Sequence, residues 1–147
     1  MKNLTICDLD NTLAMHPDCP KRTDHSNCQN DIINKHVKAF LDLSKDEDVN
    51  SLLKFDIIFL TKRHEKFREQ TLEFLNKHFD IDFELIMRTD NDPDNSPDFK
   101  KKKFFEINER PNSRILHIIE DDQRVNDMFE NIRIQNKIFF FMYTPEQ

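Results

Sequence analysis

The sequence predicts an α/β domain built on a parallel sheet of about five strands, and three observations carry that prediction. Its apolar runs are short and are separated by stretches with helical spacing. Polar clusters follow the ends of three runs, Asp8/Asp10, Thr61/Arg63 and Glu120/Asp121. In open parallel sheets the ligand site lies in the crevice beyond the carboxyl ends of the strands. Third, 147 residues suffice for one hydrophobic core, and neither an internal repeat nor a domain boundary is visible, so residues 1–147 read as a single domain.

The first strand is expected at Leu4 to Asp8, an apolar run leading into Asp8-Leu9-Asp10-Asn11-Thr12-Leu13. Residues i and i+2 of a strand share a side, so the strand end should present the carboxylates of Asp8 and Asp10 together. Two like charges that close need a cation or a proton between them, and paired oxygen ligands suit Mg²⁺. The bland alternative is a strand ending in an Asp/Asn turn. The apolar run before the pair and Thr12-Leu13 after it favour function.

A polar loop from His16 to about Gln29 carries Pro17, Pro20, Lys21, Arg22 and Asp24, and its length predicts a flap or hairpin over the strand end. Asn30 or Asp31 is expected to cap a helix with Ile33, Val37, Phe40 and Leu41 on its apolar face. Residues 44–50 read as an acidic surface connection. The second strand is expected at Phe55 to Leu60, ending at Thr61-Lys62-Arg63, before a helix with Phe67, Thr71, Phe74, Leu75 and His78 along one stripe. Phe83 to Met87 reads as the third strand and 88–97 as an Asp/Asn/Pro loop. Asp98 should open a helix through Lys100–Lys103, Phe104, Phe105 and Ile107. Ile115 to Ile119 is the fourth predicted strand, followed by a helix with Val125, Met128, Phe129 and Ile132, and Ile138 to Met142 is the last strand.

Composition excludes several classes. Glycine is absent, which rules out Gly-rich phosphate loops and leaves tight turns to Asn, Asp and Pro. A hydrophobic fraction of 37% with 14 phenylalanines supports a globular chain with a phenylalanine-rich core. The net charge of −6 argues against a broad basic nucleic-acid face but leaves room for a local one. Cys7, Cys19 and Cys28 show no metal spacing, and neither a signal peptide nor a membrane-length apolar run is evident. They read as reduced intracellular thiols, and no membrane partner is expected. His16, His25, His36, His64, His78 and His117 are scattered and form no zinc set.

The converging residues fit phosphoryl chemistry. Asp8 and Asp10 can divide attack and proton transfer, with an aspartyl-phosphate formed and then cleaved by water. Glu120 and Asp121 add oxygen ligands for Mg²⁺, while Asp122 suits a helix N-cap. Thr61 offers a hydroxyl, and Arg63 can grip phosphate in a bidentate fashion, a surface ion pair being its alternative. For the phosphoryl-binding lysine, Lys101 is preferred because it lies one turn before Phe104 and Phe105. Lys102 and Lys103 should face solvent, and Lys100, at i−4 from Phe104, stays open.

Assembled in order, Asp8-Leu9-Asp10-Asn11-Thr12, Thr61, Lys101 and Glu120-Asp121 resemble the four motifs of haloacid dehalogenase (HAD) superfamily phosphatases. The chain is most similar to the 3′-phosphatase domain of bacteriophage and bacterial polynucleotide kinase-phosphatases. Asp24, Cys28, Asp31, Ile33 and Asn34 match that family's D-x3-C-x2-D-x-I-N spacing, and Thr61-Lys62-Arg63 parallels its S-G-R. Lys62 and Asn11 stand where the family has glycine.

The resemblance implies a single Rossmann-like HAD domain with helices on both faces and a minimal cap, the flap at about 13–30. It implies Asp8 as nucleophile and metal ligand, Asp10 as general acid/base in the same metal site, and Asp121 with Glu120 for Mg²⁺. Thr61, Arg63 and Lys101 would bind phosphate, with Thr12 and the flap residue Asp24 toward the substrate. It also implies an intracellular protein, a viral one in its host cell included, and a separate kinase or ligase as partner.

The inserts 13–30 and 88–98 are too short for a lid domain, and an open site suits a polymer end better than a metabolite that needs water excluded. Together with the resemblance, which implies a 3′-phosphatase, this makes the 3′-phosphate of a DNA or RNA end the expected substrate. A small-molecule or nucleotide phosphatase and a non-catalytic binding module are the alternatives.

Overall fold

In the computed structural model, which describes residues 1–46 and 54–145, five strands form one parallel sheet. They are β1 (Lys2–Cys7), β4 (Asp56–His64), β5 (Phe83–Arg88), β6 (Ser113–Ile119) and β7 (Phe141–Tyr143). Their spatial order is β5-β4-β1-β6-β7, with every pairing parallel. The chain lays strands outward from β1 on one side, then returns to lay β6 and β7 on the other. The order thus reverses at β1 and β6, the place where such sheets open a crevice. Two short antiparallel strands, β2 (Ala14–Met15) and β3 (Ile32–Ile33), form the base of the predicted flap.

Strand alternation divides the core. Cys7, Ile57, Phe59, Leu85 and Met87 pack with α1 (Lys35–Asp42) and α2 (Arg68–His78) through Val37, Leu41, Phe74 and Leu75. Leu4, Ile6, Ile58, Leu60, Ile115 and Ile118 pack on the opposite face against α3 (Ser96–Asn108) and α4 (Gln123–Asn136). Phe99, Phe104, Ile107, Val125, Phe129 and Ile132 supply the helical side of that layer. Continuous apolar strands are what a sheet covered on both faces requires.

Several boundaries differ from expectation. Ile33 belongs to β3, and the cap of α1 is Asn34, whose Oδ1 accepts from His36 N at 3.1 Å. The hairpin takes Ile32 and Ile33 because they pair with Met15 and Ala14. Asn95 rather than Asp98 caps α3, accepting from the Asp98 N–H at 2.9 Å. The final strand is Phe141–Tyr143 because α4 runs on to Asn136 and Lys137 turns left-handed. Asp122 caps α4 as expected, accepting from Arg124 N. The acidic connection begins with a 3-10 turn at Leu43–Lys45, and its residues 47–50 lie outside the described residues. None of the described helices is long and apolar enough to cross a membrane.

Candidate active site

A cavity of about 720 Å³ opens beyond the carboxyl ends of β1, β4, β5 and β6. Asp8, Asp10, Lys100, Glu120 and Asp121 line it, with Arg22 and His25 from the flap and Lys62, His64 and Arg88 from β4 and β5. The carboxylates of Asp8, Asp10 and Glu120 are buried, whereas Lys21, Lys62, Arg88 and Arg124 in the same lining are half-buried or exposed. The floor is acidic and the outer lining basic.

The alternation that built the core also sorts the site. Even-numbered residues of β1 and β4 face α3 and α4, so Asp8, just past β1, meets Lys100 of α3. Lys100 Nζ donates to Asp8 Oδ1 at 2.8 Å and also bonds Glu120 Oε2. Burial works against the Lys100 charge, but the two carboxylates outweigh it and raise the ammonium above its ordinary value. Thr12 Oγ1 lies 3.1 Å from Asp8 Oδ2 and 3.0 Å from Asp121 Oδ1. One hydroxyl hydrogen thus serves two carboxylates.

Lys101, the lysine favoured by sequence, is exposed. The buried stripe of α3 runs through Ser96, Phe99, Lys100, Phe104 and Ile107. Phe105 is only half-buried, so the turn preceding it faces outward, and the stripe centred on Phe104 brings Lys100 inward at i−4. The presence of Phe99 beside Lys100 was the available signal.

Asp8 and Asp10 line one cavity but do not share partners. β1 ends at Cys7, and the N–H groups of Thr12, Leu13 and Ala14 all return to the Leu9 carbonyl. Asn11 takes a left-handed φ of 61° in this turn. Both carboxylates reach one cavity, but Asp10 lies past the strand end and turns to partners of its own.

Its carboxylate turns to Arg63, with Nε at 3.1 Å from Oδ2 and Nη2 at 2.9 Å from Oδ1. His16 Nε2 adds a contact to Oδ1 at 2.9 Å, and His25 Nε2 lies 3.3 Å from Oδ2. Burial favours the neutral acid, but the Arg63 charge and the hydrogen bonds from His16 and Arg63 prevail and hold the Asp10 carboxyl well below the usual range.

The group of carboxylates that could hold a metal ion is correspondingly smaller than expected. Asp8, Glu120 and Asp121 offer oxygens within 4.8 Å of one another, and Asp10 is not among them. Burial and the Asp8 charge raise Glu120 well above the carboxylate range, and the same two causes push Asp121 up to about 6. Burial and mutual repulsion thus favour protons on these acids, and a divalent cation among the three oxygens could stand in place of those protons.

Arg63 is placed differently from its expected role. It is fully buried, with Nη1 on Thr71 Oγ1 at 3.2 Å and Nη2 on Asp31 Oδ2 at 3.2 Å. β4 continues through His64, so alternation sends Lys62 and His64 to the cavity and Thr61 and Arg63 to the α2 side. Thr61 is also fully buried, its hydroxyl accepting from Arg63 N at 3.2 Å. Asp24 is exposed and accepts from Ser26 N at 3.0 Å, while its neighbours Thr23 and His25 line the cavity. Thr12 is buried against the carboxylates.

Sequence reasoning missed Arg22, His16, His25 and Arg88. Arg22 pairs with both oxygens of Asp31, at 2.7 and 2.6 Å, and lies 3.5 Å from Asp10 Oδ1. Arg88 stands at the carboxyl end of β5 and donates to the Asp94 carbonyl at 2.8 Å. Its position after a predicted strand was a usable signal.

A family model described as the polynucleotide kinase PNKP phosphatase domain matches residues 2–137. No curated protein matches. Among solved structures, a chain of the Pnkp1/Rnl/Hen1 RNA repair complex superimposes with a TM-score of 0.77 at 27% identity. That superposition covers 98% of this chain and 43% of the other. A second structure of the Pnkp1/Rnl/Hen1 complex gives 0.76 at 27% identity, covering 100% and 47%. This chain therefore spans less than half of those proteins. The HAD domain of the effector Lem4 from Legionella pneumophila, 17% identical with a TM-score of 0.64, shares the fold over 99% of this chain and 86% of its own.

Proposed function

We propose, from the premise that this chain belongs to the family of polynucleotide kinase PNKP phosphatase domains and is a phosphatase of the HAD type, that it removes the 3′-phosphate from DNA or RNA ends. The observation that carries this is the cavity itself: a buried floor of Asp8, Glu120, Asp121 and Lys100 beneath an outer lining that is basic. A terminal phosphate fits the floor, and Lys21, Lys62, Arg88 and Arg124 suit the flanking phosphates of a polymer.

Asp8 is the nucleophile. Thr12 and Lys100 hold its two oxygens, which orients the carboxylate for attack on phosphorus. Lys100, already poised between Asp8 and Glu120, supplies positive charge to the equatorial oxygens of the transferring group. Asp8, Glu120 and Asp121 would hold Mg²⁺, which neutralises phosphate charge and withdraws electrons from phosphorus.

Asp10 gives a proton to the departing ribose oxygen and then takes one from the water that cleaves the aspartyl-phosphate. A phosphate dianion arriving beside Asp10 raises its proton affinity, opposing the Arg63 charge that keeps it ionised when the cavity is empty of substrate. The flap forms no separate lid, so a polymer can enter from the side.

The Pnkp1 structures belong to an RNA repair complex, which supports nucleic-acid end repair alongside other enzymes, a ligase or kinase among them, as the setting. The reading is tested by phosphate release from a 3′-phosphorylated oligonucleotide with Mg²⁺, compared with 5′-phosphorylated and mononucleotide substrates. Preference for the mononucleotide, or full activity in Asp8→Asn, defeats it.

A further inference from the structure

We propose that His16 is a positioning residue for the leaving-group step: held in a rigid turn of the flap, it pins Asp10 Oδ1 so that Oδ2 faces the departing oxygen. This rests on the phosphatase reading above and assigns to the flap a part in proton transfer.

The turn is built by the sequence His16-Pro17-Asp18-Cys19. Cys19 N donates to the His16 carbonyl at 3.0 Å, closing a four-residue turn with Pro17 at its second position. The pyrrolidine ring fixes φ where such a turn needs it. The His16 ring is locked to the same turn, its Nδ1 lying 2.8 Å from the Cys19 carbonyl. The other nitrogen, Nε2, is 2.9 Å from Asp10 Oδ1, and the residue is only 8% exposed. Since a carboxylate oxygen only accepts, Nε2–H is the donor.

The two oxygens of Asp10 are unequally occupied. Oδ1 faces His16 Nε2, Arg63 Nη2 and, at 3.5 Å, Arg22 Nη2. Oδ2 accepts from Arg63 Nε at 3.1 Å. His25 approaches Oδ2 at 3.3 Å, yet both of its ring nitrogens are buried without a hydrogen-bond partner. An oxygen with two lone pairs and one bonded donor retains a place for a proton or a leaving oxygen. His25 lines the cavity on that side and His16 does not.

Oδ2 is thus the working oxygen, and Oδ1 the anchor. Arg63 alone grips both oxygens and cannot make that distinction, and the terminal torsion of an aspartate is soft and two-fold. A further donor on Oδ1, aimed by the hydrogen-bonded Pro17 turn, breaks the symmetry. His16 acts through Asp10 and touches no substrate.

The experiment exploits leaving groups. A ribose 3′-oxygen leaves as an alkoxide and needs Asp10's proton, whereas p-nitrophenolate leaves without one. The expected result for His16→Leu is a kcat/KM about 100-fold lower on a 3′-phosphorylated oligonucleotide, the scale of a displaced catalytic group. Its kcat/KM on p-nitrophenyl phosphate should stay unchanged. His16→Gln, whose amide N–H can stand near the place of Nε2, should recover most of the loss. Pro17→Gly should reproduce the substrate-selective defect through the loosened turn. Equal losses on both substrates, or no loss on either, overturn the proposal. Wild-type protein inactive on both substrates overturns the phosphatase reading instead, and this inference with it.

Discussion

Lys100 Nζ stands 2.8 Å from Asp8 Oδ1, while Lys101, adjacent in sequence, is exposed. Lys100→Met should therefore lower phosphate release from a 3′-phosphorylated oligonucleotide by about 100-fold or more, with Lys101→Met near wild type. The rates of the two variants, measured side by side, decide the point. Comparable losses in both would remove Lys100 from its assigned role.

Arg63 lies at the centre of an ion-paired group with Asp10 and Asp31 and is fully buried. Removing one member of such a group strands the others without compensation, at a cost of about 3–5 kcal/mol. Arg63→Met should show that loss in a urea unfolding curve. Lys62→Met, one residue away and half-buried in the cavity lining, should unfold like wild type. Its defect should instead be a raised KM for oligonucleotides and a shallower dependence of binding on salt.

The cluster of Asp8, Glu120 and Asp121 should bind a divalent cation in the folded state alone. Linkage then stabilises the fold by about 2.7 kcal/mol when free Mg²⁺ reaches a hundred times its dissociation constant. Thermal melts with Mg²⁺ and with chelator should differ for wild type and converge for Asp121→Asn. An unchanged melting temperature in wild type across millimolar Mg²⁺ would count against metal binding here.

His117 is packed against Phe40, Phe55 and Phe141, and its Nδ1 lies 3.0 Å from Thr5 Oγ1. Burial lowers its pKa, so the unfolded chain binds the proton more readily than the folded one. The stability tied to the neutral ring is complete above its unfolded pKa of about 6.5. It is lost as pH falls through the lower folded value. Denaturant midpoints for wild type should drop on acidification across that window, and His117→Gln should flatten the drop. Parallel curves for the two proteins would refute the assignment.

The fold and the gathering of acidic residues at one sheet edge were legible because they rest on local pattern. Apolar runs with intervening helical stripes led to the five parallel strands, and the polar residues after β1, β4 and β6 led to the crevice. Asp8, Glu120 and Asp121 bring oxygens within 4.8 Å of one another there. The match to residues 2–137 agrees with the resemblance carried by those motifs.

Which way each neighbouring side chain turns was not legible. Choosing Lys100 over Lys101 needs the rotation of α3 about its axis, set by the depth at which Phe99 and Phe104 pack. Sending Arg63 inward and Lys62 outward needs the end of β4, which continues past Leu60 because it pairs with β5 as far as His64. Separating Asp10 from Asp8 needs the point at which β1 stops. One residue of shift in a strand, or 100° in a helix, reverses such an assignment. The sequence by itself determined the sheet and the polar residues that follow its strands. Only the tertiary structure decided the partners of each charge, because those depend on register and packing between segments far apart in the chain.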